Sequence, residues 1–202
     1  MVKNVMEIFV TSDTHFCHNR DFLYTPRGFD NIYEMNEAII ERWNNVVKPG
    51  DTVYHLGDIA LMDNAGGIRC VNRLNGNIIW LLGNHDSPSR VREFINNCNN
   101  LQVCKDRYAT TMKFTVLNMN LQFYLSHYRT ITTNFDQKDF TRRVINLHGH
   151  THQKENWEDL TNPFCYHVGL DSHNCTPVHI EEVVTDIKQH WYELGSIPNI
   201  AK

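Results

Sequence analysis

The chain has 202 residues, 41% of them hydrophobic and 21% charged, with a formal charge of −4 at neutral pH. That length suits one domain with a sizeable core, residues 1–202, and the balanced composition excludes disordered and fibrous classes. The acidic total gives no basic footprint for duplex nucleic acid, and no apolar run approaches the roughly 20 residues needed to cross a bilayer.

Residues 1–5 lead straight into a strand-like segment rather than a signal peptide, so a cytoplasmic location is expected. Met6–Thr11 reads as a short buried strand that ends in the polar cluster Ser12-Asp13-Thr14-His15. Asn31 is placed to cap a helix with Glu34 three residues later, and Met35, Ala38, Ile39, Trp43 and Val46 recur at helical spacing up to Pro49-Gly50. Strands are expected over 52–56, ending at Gly57-Asp58, and over 77–82, ending at Gly83-Asn84-His85-Asp86. Helices are expected over 64–74 and, with proline in the first turn, 88–97. The first half therefore reads β-α-β-α-β-α.

From Leu101 the pattern changes to closely spaced strands over 107–117, 121–126, 144–147 and 165–168, with a hairpin turn at Asn118-Met119-Asn120. A last helix, 180–189, follows Pro177 and carries Glu181 and Glu182 near its N-terminus. The combination predicts an α/β sandwich with two mixed sheets inside flanking helices. Six cysteines (Cys17, Cys70, Cys98, Cys104, Cys165, Cys175) show neither a C-x-x-C pair nor regular spacing, so reduced, mostly buried thiols are expected.

Histidine is the unusual residue, at 12 in the chain, and several follow apolar runs. Strand-end loops supply Asp13 and His15, then Asp58, then Asn84 and His85, then His127, then His150 and His152. Oxygen and imidazole donors without thiolate suit catalytic divalent ions such as Mn, Fe, Co, Ni or Zn better than a structural zinc. In an extended segment residues i and i+2 point to one side, so Asp13 with His15, and His150 with His152, are expected to converge while His148 faces away. Gly57, Gly83 and Gly149 each precede a ligand candidate, where a close backbone approach is needed. Each residue taken alone has an ordinary explanation as a turn former or a structural histidine; their ordered co-occurrence at strand ends favours a metal centre.

The segments Ser12-Asp13-Thr14-His15, Leu56-Gly57-Asp58, Gly83-Asn84-His85-Asp86, Ser126-His127-Tyr128 and His148-Gly149-His150-Thr151-His152 resemble the five ordered signatures of calcineurin-like metallophosphoesterases, from about residue 6 to residue 180. Within the family the chain resembles the short microbial and phage-like members. The resemblance implies a four-layer αββα fold with the metal site at strand C-terminal ends. It implies one ion on Asp13, His15 and His152, a second on Asn84, His127 and His150, and Asp58 bridging both. His85 would help protonate the leaving group, oriented by Asp86.

Two divalent ions set against only two carboxylates leave a net positive site that draws a phosphate. Ions about 3.5–4 Å apart can activate a bridging water for in-line attack. Manganese is the favoured metal.

Protein phosphatases of the family continue the Gly-Asp motif with Asp-Arg and place Glu after Gly-Asn-His. This chain has Ile59-Ala60-Leu61-Met62 and Asp86 instead, which favours a phosphodiesterase acting on a small phosphate ester such as a nucleotide or cyclic nucleotide. A phosphomonoesterase, a protein phosphatase, a nuclease or a non-catalytic binding module are the competing readings. The sequence assigns no oligomeric state and no role to Asp171 or Asn174.

His15-Phe16-Cys17-His18 resembles a His-Phe-Gly-His segment of the short members, with Cys17 at the glycine position. His18 is a candidate substrate contact, with a structural histidine as the alternative. Tyr128 and Arg129 are further candidates for lining the cleft.

Overall fold

The computed structural model describes residues 6–134 and 136–196. Residues 1–5, read above as leading into the first strand, lie outside the described residues. In chain order the elements are β1 (Ile8–Thr11), α1 (Asp21–Tyr24), α2 (Ile32–Val46), β2 (Thr52–His55), α3 (Asn64–Val71), β3 (Asn77–Trp80), α4 (Pro88–Asn97), β4 (Leu101–Val103), β5 (Ala109–Val116), β6 (Met119–Ser126), a 3-10 turn (Phe140–Arg142), β7 (Val144–His148), β8 (Cys165–His167), β9 (Val178–His179) and α5 (Ile180–Ser196).

Two mixed sheets result, as expected for the α/β class. One has the order β4-β3-β2-β1-β9, parallel except for β9; the other is β5-β6-β7-β8, with β5 antiparallel to β6 and the rest parallel. Between their facing sides lies an apolar cluster that includes Val10, Tyr54, Phe123, Leu125, Ile145 and Leu147. Helix α5 seals this cluster with Val183, Val184 and Ile187. Against the other side of the five-stranded sheet, Met35, Ile39 and Trp43 of α2, Val71 of α3 and Phe94 of α4 pack on Phe9, Val53 and Ile78. Fully burying each such side chain contributes about 1.5–3 kcal/mol, so the strands that carry the site loops are anchored on both faces.

Local chemistry sets the helix starts. Asn31 Oδ1 accepts the Glu34 N–H at 3.0 Å, and Glu34 returns by accepting the Asp30 N–H at 3.0 Å, one residue earlier than in the usual reciprocal box. Asp63 caps α3 by accepting from Gly66 N–H at 2.9 Å. Within that helix a Cβ at Gly67 would fall 2.7 Å from the Ala60 Cβ, so this glycine lets α3 pack directly against the loop after β2.

The β5–β6 turn is Leu117-Asn118, with Met119 and Asn120 already in β6 and Val116 opposite Met119. Leu117 (φ 49°) and Asn118 (φ 61°) are both left-handed, as a two-residue hairpin turn of this twist requires, so the expected turn lies one residue too late. Helix α5 runs past the expected Gln189. All six cysteines are unpaired, four of them buried.

Candidate metal centre

Strands β1, β2 and β3 run in parallel register through Thr11, His55 and Trp80, so the loops that follow them open together. Those loops hold Asp13 and His15, Asp58, and Asn84 with His85. In the second sheet β6 and β7 are also parallel, and the chain beyond their ends holds His127, His150 and His152. The loops are sewn to one another. Asp13 N–H donates to the Gly57 carbonyl, His15 N–H to that of Asp58 and Gly149 N–H to that of His127, each at 3.0 Å, while Ser12 bridges to Gly169. A Cβ at Gly149 would collide with Ser12 Oγ and Asp13 Oδ2, which explains the missing side chain there.

Seven side chains expected at the centre come together. His15 Nε2 lies 3.7 Å from both Asp13 Oδ1 and Asp58 Oδ2, and His152 Nε2 lies 3.8 Å from Asp13 Oδ1. His127 Nε2 is 3.4 Å from Asp58 Oδ2 and 2.9 Å from Asn84 Oδ1, and the His150 ring stands 5.0 Å from that of His127. Ligand atoms of Asp13, His15 and His152 lie within 4.8 Å of one another, and so do those of Asp13, Asp58 and His127.

Asp13 Oδ1 and both ring nitrogens of His15 are buried without a hydrogen-bond partner. A buried polar atom left unpaired costs about 1–3 kcal/mol, more when charged. Atoms bound to one ion at about 2.0–2.2 Å sit roughly 3–3.5 Å apart, close to the separations here. The donor set therefore fits divalent cations.

The calcineurin-like phosphoesterase superfamily domain matches residues 6–165. This chain belongs to that superfamily. An uncharacterised protein of Methanocaldococcus jannaschii is 42% identical over 85 residues, 41% of this chain and 48% of that protein, so the match spans about half of the archaeal relative. The gene 66 protein of Mycobacterium phage D29 is 28% identical over 90% of this chain and 98% of its own length. A crystal structure of a protein of unknown function from Aquifex aeolicus superposes with a TM-score of 0.64 at 20% identity, covering 90% of this chain and 99% of that one; at that identity it bears on the fold alone.

The residues expected as ligands are reached by an unexpected backbone path. Asp13 (φ 59°), His15 (φ 47°), Asp58 (φ 58°), His150 (φ 72°) and His152 (φ 52°) are all left-handed. Convergence of Asp13 with His15, and of His150 with His152, thus comes from left-handed turns beyond the strands and not from the alternation of an extended segment. Such residues cost of order 1–3 kcal/mol each and persist only where the surroundings hold them. Cys17, at the position where a glycine is usual, is left-handed as well (φ 63°); its N–H donates to Asn36 Oδ1 at 3.3 Å.

Burial opposes ionisation of Asp13, but the nearby His15 ring and the other imidazoles hold its carboxyl well below the usual range. Burial likewise opposes the Asp58 charge, and His127 overrides it to keep that carboxyl low. Burial works against a proton on His127, yet Asp58 and Asp13 lift its pKa to about 8. Beneath the centre, burial depresses His55 and His167 to about 3, so both are neutral.

Asp171, given no role by the sequence, and Arg27, not singled out there, complete this arrangement. Asp171 Oδ2 lies 2.9 Å from His152 Nδ1, and the buried Arg27 guanidinium donates to both Asp171 oxygens at 2.9 and 2.7 Å and to the Asp13 carbonyl at 2.8 Å. Burial opposes the Asp171 charge, but His152 and Arg27 hold its carboxyl well below the usual range. The available signal was that Gly169-Leu170-Asp171 closely follows β8 much as Gly57-Asp58 follows β2.

Asp86 is a correction. Expected to orient His85, its carboxylate instead accepts from the N–H groups of Asp58 and Gly83 at 2.8 Å each and from Trp80 Nε1 at 3.1 Å, and no hydrogen bond among the described residues joins it to the His85 ring. Burial and the nearby Asp58 raise its pKa to about 6 even though these donors pull it down. Its place in the sequence, next to the proposed acid, suggested contact, but the chain turns it under the loop.

His85 itself is exposed at the cleft, its N–H donating to Asp58 Oδ1 at 2.8 Å and its ring 5.7 Å from that of His15. His18 lines the same cleft, its ring 5.3 Å from His15. Burial and the adjacent imidazoles depress His18 to about 4. Tyr128 stacks edge-on against His150 at 4.7 Å without lining the cleft. Arg129, a candidate substrate contact, is likewise outside it and pairs with Glu158. His148 is buried, its ring 5.5 Å from that of His167.

Proposed function

We propose that this chain is a phosphodiesterase that works with two divalent metal ions, manganese favoured, on a small phosphate ester such as a nucleotide or cyclic nucleotide. The observation that carries the reading is the buried set of unpaired donors, Asp13 Oδ1 and His15 Nε2, facing Asp58 Oδ2 and His152 Nε2. Asp13, His15 and His152 would hold one ion, Asn84, His127 and His150 the other, with Asp58 between them. When bound, such a pair supplies positive charge for the phosphate oxygens and an activated water.

The chain's own groups do the rest. Asp171, backed by Arg27, holds His152 by Nδ1 and leaves Nε2 turned toward Asp13. Asp58 Oδ1 and the Asp86 carboxylate brace the loop that presents His85, and Arg90 donates to the His85 carbonyl from the other side. Held there, His85 would hand a proton to the departing oxygen. His18, neutral and edging the same cleft, would donate one hydrogen bond to a phosphate oxygen.

Ile59-Ala60-Leu61 after Asp58, where protein phosphatases of the family carry Asp-Arg, supports a small diester over a phosphoprotein. Unpaired cysteines agree with a cytoplasmic location. Among the described residues no helix is long and apolar enough to cross a membrane. The test is a screen of manganese-reconstituted protein against aryl phosphodiesters, cyclic nucleotides, phosphomonoesters, phosphoserine peptides and single-stranded nucleic acid. Turnover confined to small diesters is expected; polymer or phosphopeptide turnover without it would reverse the reading.

A further inference from the structure

The cleft over the centre has a volume of about 480 Å³ and is lined by two chemically distinct kinds of residue. His15, Asp58, Asn84, His150 and His152 are among its polar lining. Phe22 and Leu23 of α1, Pro26 and Leu61 are its apolar lining, referred to below as the wall. Among the described residues that line the cleft there is no lysine or arginine, so nothing on the wall is suited to a second phosphate or a carboxylate. Phe22 is 68% exposed, unusual for a phenylalanine at the rim of a small cleft.

The wall also has a definite position relative to the proposed acid. Phe22 meets the His18 ring edge-on at 5.7 Å, and the His18 ring lies 6.5 Å from that of His85. A group leaving from the His85 side of a phosphate held by the polar ligands would therefore travel over His18 toward Phe22. Apolar clefts of a few hundred Å³ with a few convergent polar groups are the common form of a small-ligand site, and an exposed aromatic face offers a stacking surface to a flat ring.

We propose that Phe22, Leu23, Pro26 and Leu61 form the leaving-group subsite, and that it takes an uncharged aromatic ring, making the substrate an aryl or nucleobase-bearing phosphodiester. This rests on the phosphodiesterase reading above and narrows it. Pyrophosphate-linked and peptide leaving groups are disfavoured by the same wall, because they bring charge to a surface without a counter-charge.

The test uses two probes with no bond to hydrolyse, phenylphosphonate and methylphosphonate, titrated calorimetrically into the manganese-loaded full chain and into Phe22→Ala and Leu61→Ala variants. The wild type is expected to prefer the phenyl probe by about tenfold, the scale of one ring stacked on an aromatic face, and Phe22→Ala should remove most of that preference. Phe22 is a surface residue, so the variant keeps its fold, and Leu61→Ala supplies an independent truncation of the same wall. Equal binding of the two probes by wild type, or a phenyl preference that survives both truncations, overturns the subsite while leaving the phosphodiesterase reading intact. Failure of both probes to bind metal-loaded protein overturns the two together.

Discussion

The loops after β1 and β2 and the loop after β7 bring the same kinds of donor to one centre, but they differ in how far the fold has fixed them. Asp13, His15 and Asp58 are between 0% and 2% exposed and locked by backbone hydrogen bonds to neighbouring loops. Beyond β7, His150 and His152 are exposed, and the His152 side chain keeps 35% of its surface open. The fold compensates there with a buried ion pair, Arg27–Asp171, at 2.7 Å. The buried half concentrates unpaired polar atoms that a cation would satisfy, whereas the exposed half leaves a path for ion and substrate. A preformed centre thus needs rigid ligands on one side and braced, accessible ligands on the other.

The sharpest way to break this comparison is Asp58→Asn, which removes the carboxylate facing both His15 and His127. Metal occupancy and turnover should fall together, turnover toward background; full occupancy in metal analysis would show that the buried half does not organise the ions. His85→Ala should keep both ions and lose about 10²–10⁴-fold in kcat, and loss of metal in that variant would merge two roles kept apart here.

Asp171→Asn tests the exposed half. It leaves a hydrogen-bond acceptor for His152 but removes the charge, so manganese affinity should weaken about 10–100-fold in a metal titration. Arg27 loses a buried counter-charge in the same variant, so the titration belongs below its melting temperature. Unchanged affinity would mean that His152 needs no brace.

Protons compete with metal on the raised histidine. His127, lifted to about 8, is charged in the metal-free protein at neutral pH, whereas Asp13 and Asp58 are already ionised. Manganese affinity should therefore drop by up to about tenfold per pH unit below about pH 8, and a flat profile from pH 6 to 8 would contradict this. By the same linkage, the stability that the His127–Asp58 pair adds to the metal-free protein is complete below the ordinary histidine value and is lost as pH rises through about 8. The smallest effect is expected for Arg129→Ala, whose guanidinium pairs with Glu158 at the surface: about 0.5 kcal/mol or less in stability and no change in KM.

Regular elements were legible where local chemistry decides them. The Asn31 cap and the Pro88 start mark α2 and α4 because capping depends on one or two residues, and β1, β2 and β3 stand out as apolar runs. Strands β4 and β9, three and two residues long, carry too little periodicity to be seen, since pairing with neighbours and not propensity makes them strands. The Leu117-Asn118 turn was missed because leucine is a poor candidate for a left-handed position. At the centre the side chains that come together could be picked out from their chemistry and order. The residues that hold them could not: Arg27 and Asp171 are far apart in sequence and meet only through the fold, and the turn of Asp86 beneath its loop leaves no mark in the residue string.

The central claim is a pair of ions held between the two sheets, and anomalous diffraction from manganese-soaked crystals tests it most directly. Two peaks are predicted, one within bonding distance of Asp13, His15 and His152, the other of Asn84, His127 and His150, with Asp58 reaching both. A single peak remote from Asp58, or none at saturating manganese, would contradict the account.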